Sequence, residues 1–314
     1  MYFPYLRGKQ FELIALREIS QFVKNRNLIS PIIEPVKETT LTLVKTLDCL
    51  ISEKLNFNLV INPQVGDIKS FEEIIYILNK IKAKYYNFQP ALIINEKTSF
   101  ASLSEIVLEN SLQNICLICN GIPNDEIGLT EFIKSSSIKY IVINDFIFSK
   151  RLLREIRRTT IDKVSFSDPF NLMNRNVDYI EKDNEFFSDE HLFYAEENLV
   201  GFSDFLTIGQ NYTDGGFLPY AVAIHLTYQN SKDEFWIRHF VSDSNEDTTD
   251  VAGKFAEALT KLVDFINKEK LDTYACREFK ELLRAEKYPG LGSVKKLSIK
   301  HHIELVYNYL NSQL

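Results

Sequence analysis

A repeated unit dominates the first 170 residues: a short apolar run ends in an acidic or amide side chain, and helical periodicity follows each of the first five runs. Continuous Val/Ile/Leu runs are typical of strands buried on both faces, and strands that alternate with helices indicate a parallel sheet. The simplest closed form of such a sheet is a barrel, whose functional site lies at the carboxyl ends of the strands. The runs are 31–34, 59–62, 91–95, 115–120, 140–145 and 164–168.

We therefore predict an α/β fold of the (β/α)8 TIM-barrel type over residues 1–270. Barrels of this size commonly form one domain, so the length of the chain does not force a division. Residues 271–314 are predicted to be a C-terminal helical extension that packs on the barrel.

The last third of the predicted barrel is irregular. A polar, aromatic-rich stretch, 171–198, predicts loops or a short helix. The alternating runs 221–228 and 234–242 are separated by turn residues and predict a β-hairpin. The eighth strand is either one arm of this hairpin or the segment 199–207, and the pattern leaves both open.

Charge and composition exclude some classes of partner. The chain has a formal net charge of -7, which gives no general attraction to a phosphate backbone or an anionic membrane. Nucleic acid is therefore not expected as a direct ligand. Two local basic groups lie within 150–158 and 295–302, and we interpret the first as the solvated face of an amphipathic helix.

Neither a secretory signal nor an apolar run long enough to cross a bilayer appears, so we expect a cytoplasmic protein without membrane contact. Of four cysteines, only Cys116 and Cys119 have CxxC spacing. Both lie in a predicted strand, where residues three apart point to opposite faces and cannot hold one metal ion. We expect reduced thiols, no metal site and no cofactor.

Polar residues at the strand ends are the candidate site. Glu34 and Asp168 are candidate acid/base carboxylates, and Arg7 and Lys9 are placed to clamp an anion. Asn and Asp also favour turns and helix caps, so such residues collect at strand ends without any ligand. The strand-end ring would comprise Glu34, Asn62, Asn95, Asn120, Asn144, Asp145 and Asp168, and Asp204 is a further ligand-binding candidate.

The predicted hairpin contributes another group of candidates. His225 lies in the first arm, and Arg238 and His239 lie in the second, so the hairpin can bring two imidazoles together. A single strand histidine is more often structural than functional. We expect the other three histidines, His191, His301 and His302, at the surface.

Three segments together resemble a known family. They are Tyr2-x-Pro4-x-Leu6-Arg7-Gly8-Lys9-Gln10-x-Glu12-Leu13-x-Ala15-Leu16-Arg17, Pro31-Ile32-Ile33-Glu34-Pro35 and Gly201-Phe202-Ser203-Asp204-Phe205. They are similar to segments of the bacterial and phage "beta protein" family, a largely uncharacterised group. The resemblance implies a barrel-like α/β fold and a bacterial or mobile-element setting near nuclease-like genes, suggestive of phage defence. It implies no established reaction and no catalytic residues.

Two functional hypotheses follow. In the first, the chain is a non-catalytic or accessory interaction protein of a bacterial defence or phage-related system, with a partner protein encoded nearby. In the alternative, the barrel is an enzyme or binding protein that acts on a small anionic, phosphorylated or nucleotide-like ligand at the carboxyl ends of the strands. The fold alone does not decide between them, and it does not decide whether the chain is an enzyme.

Overall fold

A computed structural model describes residues 1–68, 71–144, 148–215 and 218–314. It divides into two compact units. The barrel unit comprises Met1–Lys9, Asn25–Ser167 and Phe193–Asp204, and the hairpin unit comprises Gln10–Lys24, Asp168–Leu192 and Phe205–Leu314. Residues 271–314 fall within the hairpin unit. Among the described residues, no helix combines the length and apolarity needed to cross a membrane.

Eight parallel strands form the barrel unit in the order in which they occur along the chain. Their buried runs of Ile, Leu and Val pack on both faces, as parallel sheets require. The strands are β1 Tyr5–Leu6, β2 Ile32–Ile33, β3 Phe57–Val60, β4 Phe88–Ile94, β5 Ile115–Cys119, β6 Ile138–Ile143, β7 Asp162–Ser167 and β9 Gly201–Asp204. The eighth strand is therefore the segment after Leu199, and the predicted (β/α)8 TIM-barrel-like fold is confirmed.

Five helices of the barrel unit connect successive strands. Ser99, Asp125 and Ser149 cap three of them by accepting a backbone N–H with their side chains, as N-cap residues do. The helices are α2 Leu41–Ser52, α3 Glu72–Lys82, α4 Phe100–Glu109, α5 Glu126–Ser135 and α6 Lys150–Arg158. The first helix of the chain, α1 Gln10–Ser20, belongs instead to the hairpin unit.

Tyr2 closes the sheet. Its backbone forms a parallel bridge with Ile29 on one side and with Phe202 on the other. The Phe3 N–H donates to the Phe202 carbonyl at 2.8 Å, and the Phe202 N–H donates to the Met1 carbonyl at 3.1 Å. The segment before β1 therefore joins the first and last strands of the barrel.

Side-chain contacts across the barrel show which residues point inward. The Phe3 ring lies 5.1 Å from the Tyr140 ring, and the Tyr5 ring lies 5.6 Å from the Phe166 ring, although these strands are not neighbours. Residues directly paired between strands share a face. The register therefore assigns Ile32, Asn58, Gln89, Cys116, Tyr140, Val164 and Gly201 to the interior.

Gly201 is required where the barrel closes. A Cβ atom at this position would lie 2.1 Å from the Met1 carbonyl oxygen and 2.8 Å from the Phe3 ring. We expect Gly201→Ala to lower the free energy of unfolding by about 1–3 kcal/mol, because a well-packed interior does not absorb an added methyl group. Urea unfolding followed by circular dichroism measures this loss. Gly121→Ala is the control for glycine replacement away from the closure, because its φ is not positive and an added Cβ atom would meet nothing closer than 3.2 Å.

The hairpin unit contains the predicted β-hairpin and a third strand. Strands β10 Ala223–Gln229 and β11 Phe235–Val241 pair antiparallel, and β8 Asn184–Ser188 adds to β11. The hairpin prediction is confirmed, whereas β8 lies in the stretch predicted to hold only loops or a short helix. That stretch also contains a 3-10 helix, Asn176–Ile180, and the one-turn helix α7 Glu190–Phe193.

Three long helices complete the hairpin unit: α8 Val251–Lys268, α9 Tyr274–Arg284 and α10 Leu291–Ser312. Their apolar stripes and the inner face of the hairpin form one buried cluster around Leu226, Leu262 and Phe279. Helix α1 packs against α10.

The expected surface positions of three histidines are wrong. His191 is 3% exposed, and His301 and His302 are fully buried. Burial is tolerated because each ring has a polar partner: His191 Nε2 lies 2.7 Å from the Asp233 carbonyl, His301 Nε2 lies 2.7 Å from the Thr227 carbonyl, and His302 Nδ1 lies 2.9 Å from Thr227 Oγ1. Lys300, from the second basic group, is also buried and forms ion pairs with Glu18 and Glu278.

Candidate functional site

Glu34 is the centre of a buried polar network at the carboxyl end of the barrel. The residue as a whole is 2% exposed, and its carboxylate accepts a hydrogen bond from the Tyr5 hydroxyl at 2.8 Å. The other oxygen accepts the Gln64 backbone N–H at 2.8 Å, and Arg7 Nε lies 3.3 Å from Oε2. Burial, and secondly the Glu34 carboxylate, raises the pKa of Tyr5 well above its usual value. Tyr5 therefore acts as a hydrogen-bond donor to Glu34 over the whole physiological pH range.

The loop after β1 holds Arg7 against Glu34. Gly8 has a positive φ of 58°, and a Cβ atom there would lie 2.8 Å from the Glu34 carbonyl oxygen. Only glycine allows the chain to pass so close in this conformation. Lys9 follows at once and is half-buried. Of the two cations predicted to clamp an anion, Arg7 is thus fixed beside the carboxylate by backbone geometry.

Asn62 is used by the fold. Its amide nitrogen donates to the Ile93 carbonyl at 2.9 Å, and its amide oxygen accepts the Ile93 N–H at 2.8 Å. The side chain thereby extends the β3–β4 pairing by one residue. These bonds occupy one of the two N–H donors of the amide and one of the two lone pairs of its oxygen.

Gln64 connects the strand ends of β3 and β4. Its side-chain nitrogen donates to the Asn62 carbonyl at 2.6 Å, and its oxygen accepts from the Asn95 amide at 2.7 Å. Asn95 also accepts the Lys97 N–H at 2.9 Å, which is the Asx turn expected for an asparagine after a strand. Asn120 and Asn144 are half-buried at the ends of β5 and β6. Asp145 lies outside the described residues.

Asp204 is placed differently from the other barrel candidates. Side chains alternate between the two faces along a strand, and Gly201 and Ser203 face the interior. The side chain of Asp204 therefore points to the outer face of β9. There it accepts the Tyr2 hydroxyl at 2.7 Å and is 4% exposed. Burial, and secondly Asp204, raises the pKa of Tyr2 well above its usual value. The pair fastens the residue that closes the barrel to the last strand.

Asp168 belongs to the hairpin unit and not to the barrel unit that contains Glu34. Its carboxylate accepts the Gln210 backbone N–H at 2.8 Å, and Gly209 packs beside it with a φ of 81°. This bond joins Asp168 to a loop 42 residues away in the sequence.

The two hairpin histidines meet as predicted. His225 and His239 are directly paired across β10 and β11, and their Nδ1 atoms lie 2.7 Å apart. His239 Nε2 lies 3.2 Å from Glu185 Oε1, on β8. A neutral imidazole has one N–H. If His239 carries it on Nε2 and donates it to Glu185, its Nδ1 can only accept, and the hydrogen between the two Nδ1 atoms belongs to His225. Glu185 therefore selects the tautomers of both rings.

Aromatic rings surround this pair. The Tyr179 ring lies 4.7 Å from His225 and 4.4 Å from His239, and the Phe170 ring lies 5.1 Å from His225. Burial, and secondly the neighbouring His239, lowers the pKa of His225 well below its usual value. Burial also lowers the pKa of His239, against the opposing effect of Glu185. Both imidazoles are therefore neutral at neutral pH.

Arg238 lines a groove of about 450 Å3 in the hairpin unit, and His239 also contributes to the lining. Arg238 forms an ion pair with Asp183 at 3.1 Å and stacks over the Phe265 ring, 4.9 Å from the centroid. Its guanidinium is thus held by a carboxylate and an aromatic face. The groove is also lined by Lys261, Asp264 and Lys268, so cations and carboxylates alternate around it.

Sequence reasoning missed the residues that hold these candidates in place. Tyr5 lies in a predicted strand and Gln64 in a predicted loop, so the pattern marks neither as a partner of Glu34. Glu185 and Tyr179 lie in the stretch expected to be irregular. Residues 184–188 do not alternate, because two polar residues precede two phenylalanines, so the paired aromatic residues were the only signal for β8.

Metal chemistry has no assembled site within the described residues, and the CxxC thiols are unreactive. No three His, Cys, Asp or Glu side chains there converge as metal ligands. Cys116 and Cys119 are buried free thiols on opposite faces of β5. Burial raises the pKa of Cys119 to about 12 and raises that of Cys116 as well, which keeps both thiols protonated and unreactive.

Comparison with protein-family models gives no match, and comparison with curated proteins gives no significant similarity. The site must therefore be interpreted from its own geometry.

Proposed function

We propose that this chain is a non-catalytic interaction protein built on a TIM-like barrel, and that it acts as an accessory component of a bacterial defence or phage-related system in the cytoplasm. The observation that carries the non-catalytic part is the Glu34 network. The cellular setting rests on the family resemblance of the three segments around Arg7, Glu34 and Asp204.

A catalytic carboxylate must exchange a proton or contact a reacting atom. The Glu34 carboxylate already accepts from Tyr5 and Gln64 and faces Arg7, all within 3.3 Å. The amide of Asn62 is likewise used by the Ile93 backbone. These polar groups join neighbouring strands and so support a rigid barrel whose outer surface carries the function.

Binding of a small anionic ligand at the strand ends is the second candidate. Arg7 and Lys9 favour it, because two cations lie two residues apart beside the barrel mouth, with half-buried Asn120 and Asn144 also at strand ends. Such a ligand would be held by amides and guanidinium, which recognise phosphate well.

A thermal-shift titration separates the two candidates. Inorganic phosphate, a nucleoside monophosphate, a sugar phosphate and Mg²⁺ are the probes. A ligand at 100 times its dissociation constant adds about 2.7 kcal/mol to the stability of the folded state. We expect no shift with any probe. A shift that Lys9→Ala abolishes and Lys84→Ala retains would establish the ligand-binding candidate instead.

The partner is tested in the native host. The protein is tagged at its own locus and isolated after mild cross-linking, and the co-purifying proteins are identified by mass spectrometry. We expect a protein encoded nearby to co-purify in a fixed ratio. Recovery of the chain alone, with and without phage challenge, would contradict the proposal.

A further inference from the structure

Helix α6 presents a strongly cationic face on a chain of net charge -7. Five of its nine residues are Lys or Arg, and only one is acidic. Within the part of the chain that the structure describes, Lys150, Arg154 and Arg158 form no ion pair, and all three are exposed. The acidic residue, Glu155, is already engaged by Arg151 and by the Thr130 hydroxyl. The excess positive charge is therefore uncompensated within α6.

These charges destabilise the helix that carries them. Lys150 and Arg151 occupy the first turn, which contains no acidic residue, so they lie at the positive end of the helix dipole. Arg154 has like charges three or four residues away at Lys150, Arg151, Arg157 and Arg158, and such pairs are unfavourable on a helix surface. A local arrangement that opposes stability is expected at functional positions, because an anionic partner would relieve the repulsion.

A groove with an apolar floor lies beside this face, and Thr130, Glu155 and Thr159 contribute polar groups to its lining. The groove has a volume of about 410 Å3 and runs between α5 and α6 in the barrel unit. Ile133 and Ile156 form its buried floor, and Lys134 and Arg158 stand at its rim. A volume of this size accommodates an apolar side chain, and the flanking cations match carboxylates on either side of it.

We propose that α6 and the α5–α6 groove form a docking surface for an acidic polypeptide segment that inserts an apolar side chain. This rests on the proposed function and names the chemistry of the partner. Four of the five cations are arginine, which pairs with carboxylates in a planar, bidentate geometry. A polypeptide fits better than nucleic acid, because the groove floor is apolar and a long polyanion would extend over the remaining acidic surface.

The experiment measures fluorescence anisotropy of a labelled acidic peptide of about 15 residues, long enough to form a helix on binding. Glutamates flank leucines at helical spacing in this peptide, and serines replace the leucines in its matched control. A labelled DNA duplex is the third probe. The protein variants are Arg154→Glu and, as a control with the same charge change on exposed α2, Lys45→Glu.

We expect the leucine peptide to bind wild type and Lys45→Glu equally and Arg154→Glu at least tenfold more weakly. The serine peptide should bind more weakly than the leucine peptide. Arg154→Glu should also unfold at the same or a higher temperature than wild type, because it removes repulsion within α6. If Arg154 only stabilised the fold, its replacement would instead lower the unfolding temperature.

Three results would overturn the docking surface: no binding of the leucine peptide, equal binding by both variants, or preferential binding of the DNA duplex with the same loss in Arg154→Glu. The native-host experiment separates this failure from failure of the proposed function. If Arg154→Glu co-purifies with the neighbouring protein as wild type does, the docking surface is wrong and the proposed function stands. If wild type has no partner, the proposed function fails whatever the peptide does.

Discussion

Glu34→Leu is expected to lower the free energy of unfolding by about 3–5 kcal/mol, the largest single-residue effect that we predict. Glu34 and Arg7 are both buried, with side chains 3% and 8% exposed. Leucine would leave the guanidinium without this carboxylate and would remove the acceptor of the Tyr5 hydroxyl and the Gln64 N–H. Removing the carboxylate that buried donors and a buried charge face costs more than the net gain of making the pair. Urea unfolding followed by circular dichroism measures the loss.

Two further variants identify its cause. Glu34→Gln keeps an oxygen acceptor for only one of the Tyr5 and Gln64 donors and removes the charge, so its cost should lie between those of wild type and leucine. Asp48→Asn breaks an exposed ion pair with Lys84, whose side chains are 54% and 53% exposed, and should cost less than about 1 kcal/mol. Equal losses for Glu34→Leu and Asp48→Asn would show that the Glu34 network does not stabilise the barrel.

Acidification should unfold the hairpin unit steeply. Burial lowers the pKa values of His225 and His239, and burial lowers that of His191 to about 4. The unfolded chain takes up protons near the ordinary histidine pKa of about 6.5, whereas the folded state resists them. The stability is therefore complete above pH 6.5 and is lost as pH falls below it, by about 1.4 kcal/mol per pH unit for each such histidine. For the 3% exposed His191, the loss reaches about 3 kcal/mol at pH 4.

His301 acts in the opposite direction. Burial alone would lower its pKa, but the contact with Cys276 and the Thr227 carbonyl raises it overall. Its contribution is fully present below pH 6.5 and is lost only as pH rises through its folded-state pKa, so it does not offset the acid loss from the other three histidines. The net loss therefore approaches about 4 kcal/mol per pH unit as pH falls below 6.5.

Fluorescence of Trp236, the single tryptophan, reports on β11 and hence on this unit. Urea unfolding at several pH values between 5 and 7.5 gives the slope. His225→Asn should reduce the dependence of the unfolding free energy on pH by about 1.4 kcal/mol per pH unit, which corresponds to one proton, and His191→Gln should do the same. An unchanged slope in both variants would mean that these rings take up protons in the folded state as easily as in the unfolded chain.

The barrel was predictable because its signal is local. Buried parallel strands such as β4, β5 and β6 are continuous apolar runs, and helices of the right length separate them. The hairpin was predictable for the same reason, since its arms alternate and its turn residues lie between them. Direct pairing of His225 with His239 follows from that geometry.

Contacts between distant segments were not predictable. His301 and His302 follow Lys300 and read as a polar surface, yet Thr227 and Thr273, far away in sequence, supply the bonds that permit burial. The Glu34 network likewise depends on the register of β1 against β2, which pairs Tyr5 with Ile32 and so places Arg7 beside the carboxylate. A single sequence carries no direct measure of register between strands.

Closure of the barrel by Tyr2 has a consequence for self-association. Strand edges recruit other chains because their N–H and C=O groups lack partners, and a sheet that returns to its first strand offers no such template. Within the described residues, the open edges belong to the three-stranded sheet, at β10 and β8. The β8 edge carries Phe186, which is 45% exposed, next to Glu185, whose charge discourages fibril-like stacking. The small sheet, and not the large one, is therefore where misassembly of this protein would begin.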